Sequence, residues 1–302
     1  MSTPENFRSG FVSFVGRPNT GKSTLTNALV GEKIAITSSR PQTTRHAIRG
    51  IVHRPDAQII LVDTPGLHRP RTLLGERLNA LVEDTYSDVD LIGLCIPAVE
   101  RIGPGDRWIL EKVRTLCPTT PVLGLVTKID TVSKKKVMEQ LVAVSKFLGP
   151  DSEVVPVSAA SGEQVDVVAD VIATLLPEGP QFYPDDIITE ESDESRMAEL
   201  IREAALEGVR DELPHSIAVS IEEILPHEGR DDMVDVHATV YVERQSQKSI
   251  VLGKGGSRMR EVGTTARAGI EKLLGTKVYL DLHVKVLKEW QRDPKMLGRL
   301  GF

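Results

Sequence analysis

Eight residues, Gly16-Arg17-Pro18-Asn19-Thr20-Gly21-Lys22-Ser23, followed by Thr24, fit the pattern G-x-x-x-x-G-K-[ST], whose chemistry is the grip on a phosphate chain. The two glycines let the backbone wrap closely, so that successive N–H groups and the positive end of the following helix cradle a β-phosphate. Lys22 supplies a mobile point charge for the β and γ oxygens, and Ser23 is left to coordinate Mg2+. A turn that binds nothing would satisfy the same letters. The pattern gains its meaning from lying between a predicted strand and a predicted helix.

Three further groups fall at strand ends downstream. Asp63-Thr64-Pro65-Gly66-Leu67 follows an apolar run and places an acid where ligands of open α/β sheets collect. Asp63 is expected to hold the magnesium through water, and Gly66 to offer an amide to the γ-phosphate and rotate when that phosphate leaves. Alone, the same residues also make a good β-turn. Thr127-Lys128-Ile129-Asp130 resembles the guanine-reading motif of GTPases, normally Asn-Lys-x-Asp. The Asp130 carboxylate can accept from both the ring N–H and the exocyclic amine of guanine, and leaving it unpaired would be expensive. Lys128 would lay its stem along the base. Ser158-Ala159-Ala160 completes the series as a loop whose backbone amide meets the guanine oxygen. Thr127 stands where Asn is usual; its shorter hydroxyl makes fewer bonds to the phosphate loop, which predicts weaker or faster-exchanging nucleotide.

These residues need strands to carry them, and the first 176 residues supply the alternation of a βαβ protein with a mainly parallel sheet. Strands are predicted at Gly10–Val15, Ala47–His53, Gln58–Val62, Asp90–Ile96, Val122–Thr127 and Glu153–Val157. Helices are predicted at Lys22–Val30, Leu73–Tyr86, Gly105–Leu116, Lys134–Phe147 and Glu163–Leu176. The polar stretch Thr37–Arg45, which contains Thr44, has neither period and reads as a loop. Residues 177–192, rich in proline and acids, read as a linker. From 193 to 302 the pattern becomes helix (Asp193–Glu212), strands (Ser216–Ile224, Val234–Glu243), helices (Gln247–Leu252, Ser257–Leu274) and strand (Lys277–Val286), a smaller α+β domain.

The net charge of −6 hides an uneven distribution. Residues 1–184 carry 20 basic and 20 acidic groups, residues 185–240 carry 4 against 17, and residues 241–302 carry 13 against 6. A basic end of net +7 suits an anionic partner, although a solvated surface gives a milder version of the same pattern. The opening residues are polar and no apolar run approaches the ~20 residues of a membrane span, so a cytoplasmic protein is expected. Cys95 and Cys117 lack metal or redox spacing and read as buried thiols.

Within the basic end, Gly253-Lys254-Gly255-Gly256 joins two helical stretches and matches the G-x-x-G loop with which KH domains clamp a nucleic-acid backbone. Lys254, Arg258 and Arg260 would add salt-sensitive attraction beside Ser257, with Ile250, Val251 and Val262 as an apolar groove floor. The tail Trp290–Phe302 reads as a helix packed on this domain, or as an RNA or membrane contact.

G-R-P-N-T-G-K-S-T, P-Q-T-T-R-H (Pro41–His46), D-T-P-G-L-H and G-K-G-G in this order resemble the bacterial Era family of GTPases, over nearly the whole chain. The resemblance implies a P-loop GTPase domain over 1–176 and a type II KH RNA-binding domain over 193–302. It implies that Thr44, or less favourably Thr43, ligates Mg2+ when the γ-phosphate is present. Leu67, where Ras-type GTPases orient water with Gln, implies slow unaided hydrolysis of GTP to GDP. Such enzymes often use K+ held partly by an Asn at the position of Asn19. The implied partners are GTP and GDP, the 3′ end of 16S rRNA and the 30S subunit, with a role in 16S processing and 30S assembly. A monomer is expected, and weak peripheral contact with the inner face of the membrane is left open. The rival readings are a GTPase of tRNA modification or of the membrane acting through its C-terminal domain, and a P-loop metabolic kinase.

Overall fold

The computed structural model describes residues 6–37, 44–65, 72–207 and 216–302. The chain groups into two compact units, the first running to Glu190 and the second from Glu191 to Phe302. Ile36, Thr37 and residues 72–77 group with the second.

In the first unit, β1 (Arg8–Val15), β2 (Ile48–His53), β3 (Ala57–Asp63), β4 (Leu91–Pro97), β5 (Val122–Thr127) and β6 (Val154–Val157) form one sheet in the order β2-β3-β1-β4-β5-β6. All neighbours are parallel except β2 and β3. The central strands β3 and β4 are buried along their whole length, as strands covered on both faces must be. Alternate residues feed two cores. Val12, Phe14, Leu61 and Cys95 pack with α1 (Lys22–Val30) and α5 (Val165–Leu175), while Ile92, Leu94 and Val126 pack with α2 (Leu73–Ser87), α3 (Pro104–Leu116) and α4 (Lys134–Leu148). Both cysteines are free and buried, and burial pushes the Cys95 thiol up to about 12, so it stays neutral.

Because β1, β3, β5 and β6 run parallel, their carboxyl ends share one edge, and the described residues of the candidate nucleotide groups that follow these strands sit there. Residues 177–190 include backbone groups bonded to β2 and β3. The Ile51 N–H donates to the Ile188 carbonyl at 2.8 Å, and buried Gln58 accepts from the N–H groups of Phe182 and Tyr183 at 2.7 and 3.0 Å. The Ile51 bond, with the bridge between Gly50 and Thr189, occupies the free edge of β2, which would otherwise expose unpaired backbone.

In the second unit, α6 (Asp193–Leu206) starts with the Ser192 hydroxyl capping the Ser195 N–H. β7 (Ala218–Pro226), β8 (Met233–Val242) and β9 (Lys277–Val286) follow in the order β7-β8-β9, antiparallel then parallel, with a bulge between Ile221 and Glu223. Between β8 and β9 lie α7 (Gln245–Leu252) and α8 (Ser257–Leu274). The core gathers Met197, Ile201, Val236, Val240, Val251, Val262 and Ile270. Ile36 joins this core, and the Thr37 N–H donates to Glu203 Oε1 at 2.9 Å. The tail packs in the same unit: Trp290 is 0% exposed, donates to the Ser216 carbonyl at 3.2 Å and stacks on Phe302, while α9 (Pro294–Arg299) buries Leu297. Among the described residues no helix is long and apolar enough to cross a membrane.

Candidate functional site

The phosphate loop leaves β1 at Gly16, whose φ of +152° is accompanied by a close approach: a Cβ there would meet the Cys95 carbonyl oxygen at 2.7 Å. Only glycine fits, and the chain turns tightly into α1. Lys22, the first residue of α1, folds its ammonium back into the loop and donates to the carbonyls of Gly16 at 3.0 Å and Arg17 at 2.9 Å. Burial pushes this lysine's pKa down, with Cys95 and Asp63 opposing. The ammonium thus waits on its own loop, on bonds that phosphate oxygens can replace.

Ser23, Thr44 and Asp63 come together. Asp63 Oδ2 accepts from Ser23 Oγ at 2.8 Å and Thr44 Oγ1 at 3.1 Å, and the two hydroxyls lie 3.3 Å apart. Asp63 is 0% exposed, and among the described residues its second oxygen, Oδ1, has no hydrogen-bond partner. Burial raises the pKa of this carboxyl, against the two hydroxyls and Lys22, which favour its charge. Thr64 is buried next to it, and Pro65 is the last described residue of that segment. Gly66 and Leu67 lie outside the described residues, as do residues 38–43 with the alternative Thr43.

The candidate base-reading residues are held by one another and by the phosphate loop. The Ser158 hydroxyl donates to Asp130 Oδ1 at 2.6 Å, a role for Ser158 that its position in the sequence did not announce. Thr127 Oγ1 donates to the Thr20 carbonyl at 2.7 Å, so the shorter side chain does reach the phosphate loop. Lys128 stretches from the end of β5, at φ +57°, and its ammonium donates to the Asn19 carbonyl at 2.6 Å. Two ties therefore join this segment to the loop. Pro18 and Asn19 are exposed at the loop's crest, and Ala159 and Ala160 follow Ser158 past β6. The Arg17 side chain turns away from the loop toward Asp106 and Glu100. Neither acid was singled out from the sequence, since both lie far along the chain.

In the second unit, Gly253 joins α7 to the turn Lys254–Gly256 at φ +71°, where a Cβ would meet Arg258 Cβ at 2.8 Å. Added Cβ atoms at Gly255 and Gly256 would meet nothing, so the space beside this loop is open. Lys254, Ser257 and Arg260 are exposed. Arg258 is committed elsewhere, donating to the carbonyls of Ala205 and Glu207 at the end of α6. Val251 and Val262, expected in a groove floor, are core residues instead, because α7 and α8 turn those positions onto the sheet; Ile250, 53% exposed, is the one of the three that faces outward.

Residues 11–128 match a family model described as a 50S ribosome-binding GTPase, and residues 212–291 match one described as a KH domain. The chain is 71% identical over 296 residues to the GTPase Era of Mycolicibacterium smegmatis, covering 98% of this chain and 99% of that protein. It is 70% identical over 297 residues to the GTPase Era of Mycobacterium tuberculosis, with the same coverage. Among solved structures it superimposes with a TM-score of 0.92, at 36% identity and covering 98% of this chain and 99% of the other, on a substituted Aquifex aeolicus Era bound to GDP and AlF4-. The same values hold for an Era in complex with MgGDPNP and nucleotides 1506–1542 of 16S ribosomal RNA.

Proposed function

Because the chain belongs to the Era family of GTPases, we propose that it is a guanine-nucleotide switch that binds the 3′ end of 16S rRNA and acts in 16S processing and 30S subunit assembly. It is a GTPase with a C-terminal KH domain. The observation that carries the switch is the convergence of the Ser23 and Thr44 hydroxyls on Asp63 beside the phosphate loop.

That set offers only oxygens, and the buried, unpartnered Asp63 Oδ1 is an acceptor in want of a cation or a cation-bound water. The residues fit Mg2+, the ion that a related Era carries with GDPNP. When bound, the ion neutralises charge on the β and γ oxygens. Lys22 exchanges its two loop carbonyls for those oxygens, Gly16–Ser23 wraps the β-phosphate with its amides, and Asp130 accepts from the guanine edge. Asn19 is assigned the further role of partly holding K+, and hydrolysis without a partner is slow. Equal GTP turnover in sodium and potassium buffers rules the potassium role out.

For the RNA side, the support is the open G-x-x-G loop with exposed Lys254, Arg260 and Ile250, together with the 16S fragment bound by a related Era. Coupling of nucleotide to RNA is supported by Ile36 and Thr37, a short way before Thr44, belonging to the second unit's packing. The deciding experiment measures binding of the full chain to an RNA oligonucleotide of the 16S 3′ end, with GDP and with a non-hydrolysable GTP analogue. Tighter binding with the analogue is expected; equal affinity removes the switch, and no binding removes the RNA assignment.

A further inference from the structure

Arg17 sits in the phosphate loop but spends its side chain on α3. Its Nε donates to Asp106 Oδ1 at 2.8 Å, and its Nη2 lies 2.8 Å from Glu100 Oε2, an ion-pair contact whose N–H does not line up for a hydrogen bond. Asp106 is 0% exposed. A carboxylate so enclosed is tolerable only with each oxygen engaged, and here Oδ1 faces Arg17 while Oδ2 accepts from the Gly103 N–H at 2.8 Å, at the start of α3. The Arg17 stem lies on bare backbone: a Cβ at Gly105 would meet Arg17 Cδ at 2.9 Å and Cγ at 3.3 Å.

The other end of the same residue is equally occupied. The Arg17 carbonyl accepts from Lys22 Nζ at 2.9 Å and from Thr20 Oγ1 at 2.9 Å. Residue 17 is therefore gripped outside the loop by a buried acid and inside it by the lysine that reaches for phosphate. The loop's amides must hold one wrapped arrangement to bind nucleotide, and a loop fixed in advance spares the ordering cost at binding.

We propose that Asp106, acting through the Arg17 side chain, is a positioning residue that holds the phosphate loop in its nucleotide-binding shape. Neither side chain contacts the nucleotide in this role. The strut acts on the part of the loop that GDP and GTP share, so it sets the affinity and dwell time of both alike. The proposal rests on Gly16–Ser23 being the phosphate loop; if that reading fails, the unmodified chain binds no nucleotide at all, an outcome distinct from those below.

The test is a double-mutant cycle on the full chain, read by equilibrium binding and dissociation of fluorescent GDP and GTP analogues, with KM and kcat for GTP and apparent Tm alongside. Arg17→Ala and Asp106→Asn are each expected to weaken both nucleotides about tenfold, the value of a charge-assisted hydrogen bond. The loss should appear mainly in faster dissociation and a raised KM, the double variant should lose no more than either single one, and Arg17→Lys should restore part of it. Gly105→Ala adds a methyl group beneath the Arg17 stem and replaces a helical glycine with a better helix former, so Tm should hold or rise while affinity falls. That split cannot come from general destabilisation. Wild-type affinity in Asp106→Asn or Gly105→Ala, or additive losses in the double variant, overturns the proposal. So does an Arg17→Ala defect confined to GTP, since that would place the guanidinium on the γ-phosphate.

Discussion

The Ser158 hydroxyl donates to Asp130 Oδ1 across 2.6 Å, joining the loop after β6 to the exposed acid after β5. This bond engages one carboxylate oxygen of a group that remains exposed, as a guanine-reading acid must. Asp130→Asn replaces an acceptor with a donor opposite the guanine amine, so GTP affinity should fall and a xanthine nucleotide should be preferred. Ser158→Ala should weaken GTP by about fivefold to tenfold without changing base preference, because the acid stays and only its orientation loosens. Competition of GTP and XTP against a fluorescent nucleotide measures both; unchanged GTP affinity in the Asp130 variant removes the guanine assignment.

Thr127 Oγ1 reaches the Thr20 carbonyl at 2.7 Å, and Lys128 Nζ reaches the Asn19 carbonyl at 2.6 Å. A threonine hydroxyl has one proton to give, where an asparagine amide has two. Thr127→Asn should therefore slow GDP release by a few-fold, and Thr127→Val, which keeps the shape and removes the donor, should speed it by about tenfold. Stopped-flow release of a fluorescent GDP measures both rates. Slower release from the valine variant would show that the hydroxyl does not tie the loop.

Asp63 is buried with one oxygen unpartnered, and burial has raised its pKa. A neutral amide in this place costs less to bury. Asp63→Asn should keep or raise the stability of the nucleotide-free chain, by an amount on the order of 1 kcal/mol, while abolishing magnesium-dependent GTP hydrolysis. For a carboxyl whose folded pKa is raised, the proton is bound more tightly in the native state, so stability present at low pH is lost as pH rises through the folded value. The wild-type chain without nucleotide should show that decline on the alkaline side of the ordinary carboxylate range, and the Asn variant should show less of it. Thermal melts across pH, without nucleotide or Mg2+, check this.

The limits of Lys22–Val30, Val122–Thr127, Ser257–Leu274 and Lys277–Val286 were legible because glycines or polar residues punctuate clear periods at their ends. The shared placement of the described candidate nucleotide residues was legible for a related reason: their spacing follows strand ends, and parallel strands put those ends at one edge. Side-chain partners separated by long stretches of chain were not. Nothing in the composition around Asp106 ties it to Arg17, and a proline-rich acidic stretch does not announce that the Ile188 carbonyl will close the edge of β2. The phase of α7 was also out of reach, because eight residues give two turns, too few to choose which of two adjacent apolar positions faces the sheet.

That phase makes neighbours in sequence opposites in effect. Ile250 is 53% exposed on the open side of the G-x-x-G loop, whereas Val251 is 0% exposed in the core. Val251→Ala should cost about 2 kcal/mol of stability through lost burial and a cavity, and change RNA affinity only as far as the fold is lost. Ile250→Ala should leave the melting temperature in place and weaken RNA about tenfold, as loss of an apolar contact under a base would. Lys254→Ala should weaken RNA uniformly across sequences and lower the slope of log affinity against log salt by about 1, the signature of one phosphate contact. Arg258→Ala should behave like Val251, since its guanidinium closes the end of α6 at the carbonyls of Ala205 and Glu207. Paired thermal melts and RNA titrations at several salt concentrations separate the two groups. If Ile250→Ala lowers stability and leaves RNA binding intact, the groove beside Gly253–Gly256 is not where RNA binds.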